Sequence, residues 1–342
     1  MKVLVTGGTG YIGSHTVVEL IEQGFEPIVI DNLDNSSIDV LDRIKEITGV
    51  LPSFSQIDLL NLSNLSQFFN QHNDIQAVIH FAAHKAVGES VEKPLKYYQN
   101  NLTGLINLLQ CMQEKQIKQL VFSSSCTVYG EPDKLPVNEN SPIKKATSPY
   151  GNTKQIGEEI IADQVKASSL RCIALRYFNP VGAHDSGIIG ELPNGVPNNL
   201  VPFITQSAAG LRGPLKVFGN DYNTPDGTCI RDYIHVSDVA EAHIYAMKRM
   251  LASQQEQAFE VFNIGTGKGT SVLEAIKAFE NSTGVILNYT MAERRSGDVE
   301  KVYADTSLAN EKLGWKAQKD INEMMKTAWK WQNHLNTIMT HE

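Results

Sequence analysis

The sequence is poor in cysteine, in long apolar runs and in positive charge. Its 342 residues include four cysteines, widely spaced and without a CxxC pair, so neither a zinc site nor a disulfide framework is indicated. Such sparse usage suits a reducing compartment. With 30 lysines and arginines against 38 aspartates and glutamates, the formal net charge is −8. This balance argues against a nucleic-acid partner, because phosphate backbones require a basic footprint.

Membrane segments and leader sequences are not evident either. No apolar run approaches the ~20 residues of a membrane-spanning helix, and Val3-Leu4-Val5 leads into glycines rather than into a cleavage site. We therefore expect a cytoplasmic protein with no membrane partner. The apolar fraction of 42% is that of an ordinary globular protein, and at about 150 residues per domain the length suggests two domains.

The first half alternates short apolar segments with longer helical ones. This alternation predicts βαβ units with right-handed crossovers, and hence an α/β protein with a Rossmann-like, doubly wound parallel sheet. The predicted strands are Lys2–Thr6, Pro27–Asp31, Ser53–Ile57, Ala77–Ala82, Gln119–Ser124 and Arg171–Phe178, and the predicted helices span 12–23, 37–47, 62–72, 95–115 and 150–168.

The alternation stops after Asn179, where residues 180–197 contain several glycines and prolines and predict a long loop. We expect a boundary near 180, between a first domain of residues 1–180 and a smaller mixed α/β domain of residues 181–342. Some segments of the second domain are free to pack back onto the first. Its predicted helices span 199–210, 237–251, 271–282, 306–313 and 320–334, and its predicted strands are Lys216–Phe218, Val261–Ile264 and Ile286–Tyr289.

A glycine-rich segment follows the first strand. Gly8, Gly10 and Gly13 satisfy GxGxxG, and Gly7, Gly10 and Gly13 satisfy the related GxxGxxG. Between a strand and a helix, such glycines permit a tight turn, close approach of a pyrophosphate, and packing of helix on strand. The free N–H groups at the start of the helix then face that pyrophosphate. The segment predicts a dinucleotide-binding site.

Asp31 ends the second predicted strand, 18 residues after Gly13. A carboxylate at this point accepts hydrogen bonds from both ribose hydroxyls and repels a 2′-phosphate, so NAD is favoured over NADP. A simpler alternative stays open, in which Asp31 only forms a turn with the polar residues that follow it.

Tyr150 and Lys154 form a YxxxK pair, which places both side chains on one face of a helix. The pair alone carries little information, but it opens the helix after the fifth strand, which ends in the serine run 123–125. Ligands bind at the carboxyl ends of such strands. We expect Lys154 to lower the pKa of the Tyr150 phenol, which makes its phenolate a general base for a substrate hydroxyl.

Several segments together carry a family resemblance. They are TGGTGYIGSH, FAAHKAVGES, SSSCTVYG, YGNTK, ALRYFNPVGAH, NNLVPF, GTCIRDYIHVSDVA and RRSGD. With them the sequence resembles the UDP-glucose 4-epimerase family, within the extended short-chain dehydrogenases/reductases. The match runs nearly from end to end.

The resemblance implies NAD as the cofactor and a set of residues around it. With Gly7, Gly10 and Gly13, these are Tyr11 and Ile12 at the pyrophosphate; Asp31, Asn32, Leu33, Asp34, Asn35 and Ser36 at the adenosine ribose; Asp58 and Leu59 at the adenine; Phe81, Ala82, Ala83, His84 and Lys85 at the middle of the cofactor; and Asn100, Ser125, Tyr150, Lys154 and Phe178 at the nicotinamide end.

The resemblance also implies a UDP-hexose substrate. Two arginines on a diphosphate agree with the acidity of the chain, which needs local cations for an anionic ligand. An ordinary surface ion pair between Arg231 and Asp232 remains the alternative. The implied substrate residues are Lys85, Ser125, Tyr150 and Asn179 near the sugar; Asn199, Leu200, Lys216, Val217 and Phe218 near the uridine; and Arg231, Arg295 and Asp298 around the diphosphate and ribose.

The implied reaction is an isomerisation that interconverts UDP-glucose and UDP-galactose, with Tyr150, Lys154 and Ser125 as the catalytic residues. NAD oxidises C4 transiently, the 4-keto sugar rotates, and hydride returns to the other face. The resemblance also implies a homodimer, formed through the helices near 95–115 and 150–168. No metal site is expected, because the histidines do not cluster at ligand spacing.

Val302 bears on the range of substrates. It stands directly before the motif Tyr303-Ala304-Asp305. Family members with tyrosine in that place are confined to unmodified hexoses, and members with a smaller residue also accept N-acetylated ones. Val302 therefore predicts activity on N-acetylated UDP-hexosamines, although a plain role as a core strand residue stays open.

Two other functions compete with this interpretation. A nucleotide-sugar 4,6-dehydratase needs an acid–base pair, usually Asp-Glu, after the fifth strand, where this chain has Ser125-Cys126-Thr127. A non-catalytic NAD-sensing regulator typically lacks the tyrosine or the lysine, and both are present here. The site residues, rather than the fold, favour the epimerase.

Overall fold

The structure, a computed structural model, describes residues 1–295 and 298–339. In its first half, short strands and helices alternate as the sequence predicts. The strands are β1 (Lys2–Thr6), β2 (Glu26–Asp31), β3 (Ser53–Gln56), β4 (Ile75–His80), β5 (Gln119–Ser123), β6 (Arg171–Tyr177) and β7 (Asn179–Val181). The helices are α1 (Tyr11–Glu22), α2 (Val40–Thr48), α3 (Leu62–Gln71), α4 (Val87–Glu92), α5 (Pro94–Tyr98), α6 (Gly104–Glu114) and α7 (Pro149–Ala167).

The second half contains shorter strands and four more helices in its described part. The strands are β8 (Leu215–Phe218), β9 (Ile230–Arg231), β10 (Tyr233–His235), β11 (Phe259–Ile264), β12 (Thr270–Ser271), β13 (Tyr289–Ala292) and β14 (Lys301–Val302). The helices are α8 (Leu200–Ala208), α9 (Val236–Leu251), α10 (Val272–Thr283) and α11 (Ile321–Met339). The last three residues of the predicted second domain, 340–342, lie outside the described residues.

Seven parallel strands form the main sheet, in the order β11-β6-β5-β4-β1-β2-β3. The order reverses between β1 and β4, so the chain leaves these neighbouring strands toward opposite sides. The predicted Rossmann-like, doubly wound sheet is confirmed. A crevice outside the carboxyl ends of β1 and β4 is where such sheets bind ligands.

Apolar side chains cover both faces of this sheet. Val3 and Val5 belong to one buried cluster, with residues of α1 and α9, whereas Leu4 belongs to another, with residues of α3 and α6. The strict alternation along β1 explains why the strand reads as continuously apolar in the sequence. Burial on both faces makes the strand ends a rigid platform for the residues that follow them.

The second half does not form a separate block. β11 joins the main sheet beside β6, and α9 packs on α1, while a third buried cluster joins α8, α10 and α11. Because β11 completes the main sheet, the residues around it belong spatially with the first half. No helix in the described ranges has the length and apolarity needed to cross a membrane.

Several predicted elements differ from the structure. In place of the predicted helix 306–313 there is a π-helical segment at Ala309–Leu313. The predicted helix 95–115 is a helical run that contains a π-helical turn at Gln99–Thr103. The predicted strand Ile286–Tyr289 is wrong: the strand is β13, because pairing with β8 begins at Tyr289 opposite Leu215. Ile286 is 78% exposed and lies outside the sheet.

Candidate active site

The glycine segment forms a close turn between β1 and α1. Gly7 has a φ of 71°, and a Cβ on it would lie 2.7 Å from the backbone nitrogen of Ala82. A Cβ on Gly13 would lie 2.1 Å from the carbonyl oxygen of Gly7. Gly10 is the N-cap of α1 and supplies no capping side chain, so the first N–H groups of the helix keep their binding capacity. The turn fits a dinucleotide pyrophosphate.

Asp31 lies beside this turn, at the carboxyl end of β2. Its carboxylate accepts hydrogen bonds from the backbone N–H groups of Thr9 (3.3 Å) and Leu33 (2.9 Å) and from the hydroxyl of Ser36 (3.1 Å). The carboxylate therefore does form the turn considered as the simpler alternative. A carboxylate has about four lone-pair sites, so this role leaves capacity for a ribose hydroxyl.

A cavity of about 440 Å³ collects several of the predicted adenosine residues. Asn100 lines it from the π-helical turn and donates to the side chain of Asn101 at 2.9 Å. Asn101 in turn donates to Thr153 of α7 (3.0 Å), next to Lys154. The π-helical turn thus links the cavity to the catalytic helix. The predicted cofactor residues in the lining are Asn32, Asp34, Asp58, His84 and Asn100.

The serine run and the YxxxK pair meet at the carboxyl end of β5. Tyr150 opens α7 and is 7% exposed, and the Ser125 side chain lies near enough to its phenol for hydrogen bonding to lower the pKa of that phenol. The ammonium of Lys154 donates to the carbonyl of Ser123 at 2.7 Å. Next to it, the hydroxyls of Ser123 and Tyr177 are 2.8 Å apart. The three predicted catalytic side chains therefore lie in one buried polar group.

The expected effect of Lys154 on the phenol is not found. Burial is the largest influence on the pKa of Tyr150 and raises it well above its ordinary value. The neighbouring Tyr177 raises it further, and hydrogen bonding with Ser125 lowers it. The Lys154 ammonium donates to the Ser123 carbonyl rather than to the phenol, and Lys154 is not among the groups that shift this pKa most. Burial also lowers the pKa of Lys154 to about 8, while Glu158 raises it. Ionisation of Tyr150 therefore needs a further positive charge nearby.

A buried ion pair between Glu158 and Arg176 lies beside the serine run 123–125. Glu158, one turn after Lys154, accepts from the hydroxyl of Ser124 (2.5 Å) and from Nε of Arg176 (2.9 Å). Arg176 also donates to the hydroxyl of Tyr129 at 3.0 Å. The ion pair is almost fully buried and satisfied, so it fixes the loop that carries Ser125.

The predicted diphosphate residues also come together. Asp298 accepts from Arg295 at 2.8 Å and lies 3.8 Å from the guanidinium of Arg231. The Arg295 guanidinium lies over the ring of Phe218, 5.8 Å from its centre. Two guanidinium groups therefore lie against one carboxylate, and one of them also lies over an aromatic ring. Ser296 and Gly297 of the RRSGD segment lie outside the described residues.

Asp232 does not form the surface ion pair considered as the alternative for Arg231. It is fully buried and accepts from the N–H groups of Thr266 (2.8 Å), Gly267 (3.0 Å) and Ala304 (3.1 Å). Its role is to hold three chain segments together, which leaves the Arg231 guanidinium for Asp298 and a ligand.

Val302 lies in the short strand β14, next to Arg231. In β14 it pairs in register with Arg231 of β9, and its side chain is partly buried against the cluster that contains Phe178. The strand and core role that the sequence left open is therefore present.

Lys85 and Asn199 both contact Glu191, a residue that was not predicted from the sequence. Both donate to Oε1 of Glu191, each at 2.8 Å. The ammonium of Lys85 also lies 5.4 Å from the centre of the Tyr11 ring, and the Tyr11 hydroxyl donates to the carbonyl of Gly182 (2.7 Å).

Some predicted residues direct their side chains into the core. Ile12 packs against the cluster under α1, Leu59 packs under α6, and Val217 is 1% exposed between Lys216 and Phe218. These residues reach a ligand only through their backbone. Leu200 packs partly against the third cluster, whereas Asn179 begins β7 with its N–H bound to the carbonyl of Asp232 (3.0 Å).

Cys126 is not a nucleophile in this arrangement. The residue is partly buried near Tyr150 and Arg231, and burial raises the pKa of its thiol to about 12. Its side chain packs against the cluster that contains Phe178. Tyr177, Glu158 and Glu191 were not predicted from the sequence. Tyr177 could have been predicted, since it stands in ALRYF directly before the predicted Phe178.

Comparisons with known proteins agree with this geometry. Residues 4–328 match the family model described as GDP-mannose 4,6 dehydratase. The chain is 52% identical to a UDP-glucose 4-epimerase of Bacillus subtilis (strain 168), over 97% of both proteins.

Solved structures give the same result. A UDP-glucose 4-epimerase from Stenotrophomonas maltophila, with bound NAD and formylated UDP-arabinopyranose, has a TM-score of 0.95 and 48% identity over 99% of both chains. A UDP-Glc/GlcNAc 4-epimerase from Campylobacter jejuni has a TM-score of 0.84 and 34% identity, over 97% of this chain and 99% of that one. The chain belongs to the UDP-glucose 4-epimerase family of the extended short-chain dehydrogenases/reductases.

Proposed function

We propose that this protein is an NAD-dependent isomerase that interconverts UDP-glucose and UDP-galactose at C4 of the hexose. The observation that carries the proposal is the buried group of Ser125, Tyr150 and Lys154 at the end of β5. It stands between a glycine turn that fits a dinucleotide and a pair of arginines that fits a diphosphate. Relatives named UDP-glucose 4-epimerase match this chain over nearly their full length, which supports the same conclusion.

The cofactor proposal is supported by the two ends of its site. The glycine turn leaves no room for a Cβ at Gly7 or Gly13, so its backbone is free to approach a pyrophosphate. Asp31 adds a buried carboxylate, which favours the free ribose of NAD over the phosphorylated ribose of NADP. When bound, NAD⁺ would accept hydride from C4 and later return it.

The chain's own residues supply the proton chemistry. Tyr150 removes the proton from the hydroxyl at C4 and later returns it, with Ser125 orienting both oxygens. The phenol alone is hard to ionise, because burial raises its pKa. A fixed positive charge beside it favours the phenolate, and both the Lys154 ammonium and an oxidised nicotinamide carry one. The surrounding burial excludes water from the 4-keto intermediate.

Epimerisation also requires that one part of the substrate stays fixed while another turns. Arg231 and Arg295 would hold the diphosphate, and Phe218 the uridine. The hexose would have few fixed partners, which lets the 4-keto sugar present its other face. Most of the binding energy would then come from the nucleotide, remote from the reacting carbon.

A wider substrate range is proposed from Val302. Its aliphatic side chain stands beside Phe178 and Arg231, where tyrosine would extend a ring toward the hexose. We therefore propose activity on UDP-N-acetylhexosamines as well. The likeness to an epimerase named for both sugar types supports this proposal.

A homodimer is proposed from the helices on the first half. Val91 of α4 is 62% exposed, Leu95 of α5 is 80% exposed and Ile106 of α6 is 41% exposed. A second copy would bury these apolar side chains.

We further propose that the protein resides in the cytoplasm. We also propose that residues 1–180 bind NAD and that residues 181–342 bind the UDP-sugar, with α9 and β11 packed on the first part.

The test is incubation of the purified protein with UDP-galactose and no added cofactor. Formation of UDP-glucose, with NAD(H) released on denaturation, is the expected result. A product lighter by one water would indicate a dehydratase, and an unchanged substrate with NAD(H) still bound would indicate a regulator. Release of mainly NADP(H) would contradict the role given to Asp31.

A further inference from the structure

Glu191 joins two predicted substrate residues that come from different halves of the chain. Its Oε1 accepts one hydrogen bond from the ammonium of Lys85 and one from the side-chain amide of Asn199, each at 2.8 Å. Lys85 follows β4 of the main sheet, and Asn199 stands at the start of α8. The Glu191 side chain is only 10% exposed, whereas that of Lys85 is 52% exposed. The buried carboxylate is therefore the fixed member of the group.

The fold holds Glu191 independently of these two partners. Its backbone carbonyl accepts from the indole Nε1 of Trp331 at 2.9 Å. The residue before it, Gly190, packs so closely on the same indole that a Cβ would lie 2.5 Å from the ring. The backbone at Glu191 is thus anchored on α11, and a change of its side chain leaves that anchor in place.

The conformation of Asn199 depends on this carboxylate. Asparagine at the N-cap of a helix usually accepts a hydrogen bond from the first turn with its side-chain oxygen. Asn199 is the N-cap of α8, yet its side chain makes no capping hydrogen bond. Because its amide donates to Glu191 instead, the side chain is turned away from its own helix and toward Lys85.

We propose that Glu191 is a positioning residue for the UDP-hexose, which rests on the function proposed above. Its carboxylate holds the Asn199 amide and the Lys85 ammonium in the arrangement that binds the substrate. Without it, Asn199 turns back to cap α8, and Lys85 loses its fixed acceptor. Tyr150 and Ser125 are not touched, so binding weakens more than the chemical step does.

The test compares Glu191→Ala and Glu191→Gln in the holoenzyme. For Glu191→Ala we expect KM for UDP-galactose and the Kd for UDP to rise about tenfold, the usual effect of losing a charged hydrogen bond, with kcat within about threefold of wild type. Glu191→Gln keeps an acceptor oxygen and should recover most of the affinity. Asp185→Ala is the matched control, because it removes an exposed carboxylate from the same loop that pairs with Lys319.

A second comparison keeps the test valid if single variants lose stability. In an Asn199→Ala background, Glu191→Ala should weaken UDP binding by much less than it does in wild type, because the positioned group is already gone. Full additivity would overturn the proposal, as would wild-type KM and Kd in Glu191→Ala, or equal losses in Glu191→Gln and Glu191→Ala. Calorimetric UDP binding needs no turnover, so absence of epimerase activity in wild type would reject the reaction and leave this proposal to be decided by binding.

Discussion

At the scale of single residues, the proposed chemistry depends on a phenol that is buried and whose pKa burial raises. The pKa of Tyr150 is raised by burial, and Lys154 donates to the Ser123 carbonyl rather than to the phenol. The lysine therefore makes its hydrogen bond to the serine run and not to the base. Two effects, burial and charge, act on the phenol in opposite directions.

Tyr150→Phe tests this assignment. The ring packing is kept and the ionisable hydroxyl is lost, so turnover should fall by at least ~10²-fold, the scale of general acid–base catalysis. UDP binding, measured by calorimetry, should remain close to that of wild type. Near-normal turnover in this variant would reject proton transfer by Tyr150.

Val302→Tyr tests the proposed substrate range. A tyrosine ring in β14 would fill the space next to Phe178 that an acetamido group at C2 requires. We expect wild type to epimerise UDP-N-acetylglucosamine more slowly than UDP-glucose, and the variant to lose the former activity while it keeps the latter. If wild type has no activity on the N-acetylated sugar at millimolar concentration, valine does not open the pocket enough.

Single residues were predictable from sequence where spacing carries the chemistry. Tyr150 and Lys154 are one helical turn apart, and Asp31 ends a strand at a fixed distance from the glycines. Glu191 and Asp232 have no such spacing signal, because Glu191 meets Lys85 across 106 residues of chain and Asp232 meets Thr266 across 34, in contacts that only the tertiary fold makes. The pKa of Tyr150 was mispredicted because burial is not visible in a helical spacing.

At the scale of elements, the β1–α1 turn sets where the cofactor and the catalytic loop meet. Its closeness is a matter of sterics: the backbone around Gly7 touches the segment after β4, and Gly13 packs on the Gly7 carbonyl. Any side chain at these positions would push α1 away from the sheet.

Gly13→Ala should therefore destabilise the protein and weaken its hold on NAD. A Cβ at 2.1 Å from the Gly7 oxygen forces the turn apart, at a cost of about 1–3 kcal/mol for overpacking. The measurements are thermal unfolding and the NAD content after purification. Gly88→Ala in α4 is the control, because a Cβ there meets no atom within 4 Å. Equal behaviour of the two variants would contradict the steric role of Gly13.

The elements of the main sheet were predictable because strands buried on both faces have continuous apolar runs, and helices follow them at regular intervals. The short strands β9, β12 and β14 were not predicted. Each has two residues, too few for an alternating pattern, and each exists only through pairing with distant segments. The predicted bounds of β13 were wrong because pairing with β8, and not its own residues, sets where this strand begins and ends.

At the scale of the whole molecule, the second half adds both an edge strand to the main sheet and the arginines that face the catalytic group. The proposed UDP-sugar site would therefore draw on residues of both halves. Val91, Leu95 and Ile106, the exposed apolar residues of the proposed interface, lie on α4, α5 and α6 of the first half, and Leu95 also lines the cavity that collects the predicted adenosine residues.

Val91→Asp together with Ile106→Asp tests the proposed homodimer. Two charges on this apolar surface should separate the protomers, because buried unpaired charges are costly. Light scattering at micromolar concentration should give the mass of two chains for wild type and of one chain for the variant. A wild-type mass of one chain, 37.8 kDa, would contradict the dimer.

The central claim is that C4 is oxidised and reduced with the same hydride, and the fate of the hydrogen on C4 tests it most directly. UDP-galactose that carries deuterium at C4 is incubated with the protein without added cofactor, and the UDP-glucose formed is analysed by mass spectrometry and NMR. We predict that the product keeps the deuterium at C4, and that unlabelled substrate in heavy water gains none on carbon. Loss of the label to solvent would contradict the account, because it would mean that C4 is inverted by proton exchange and not by hydride return.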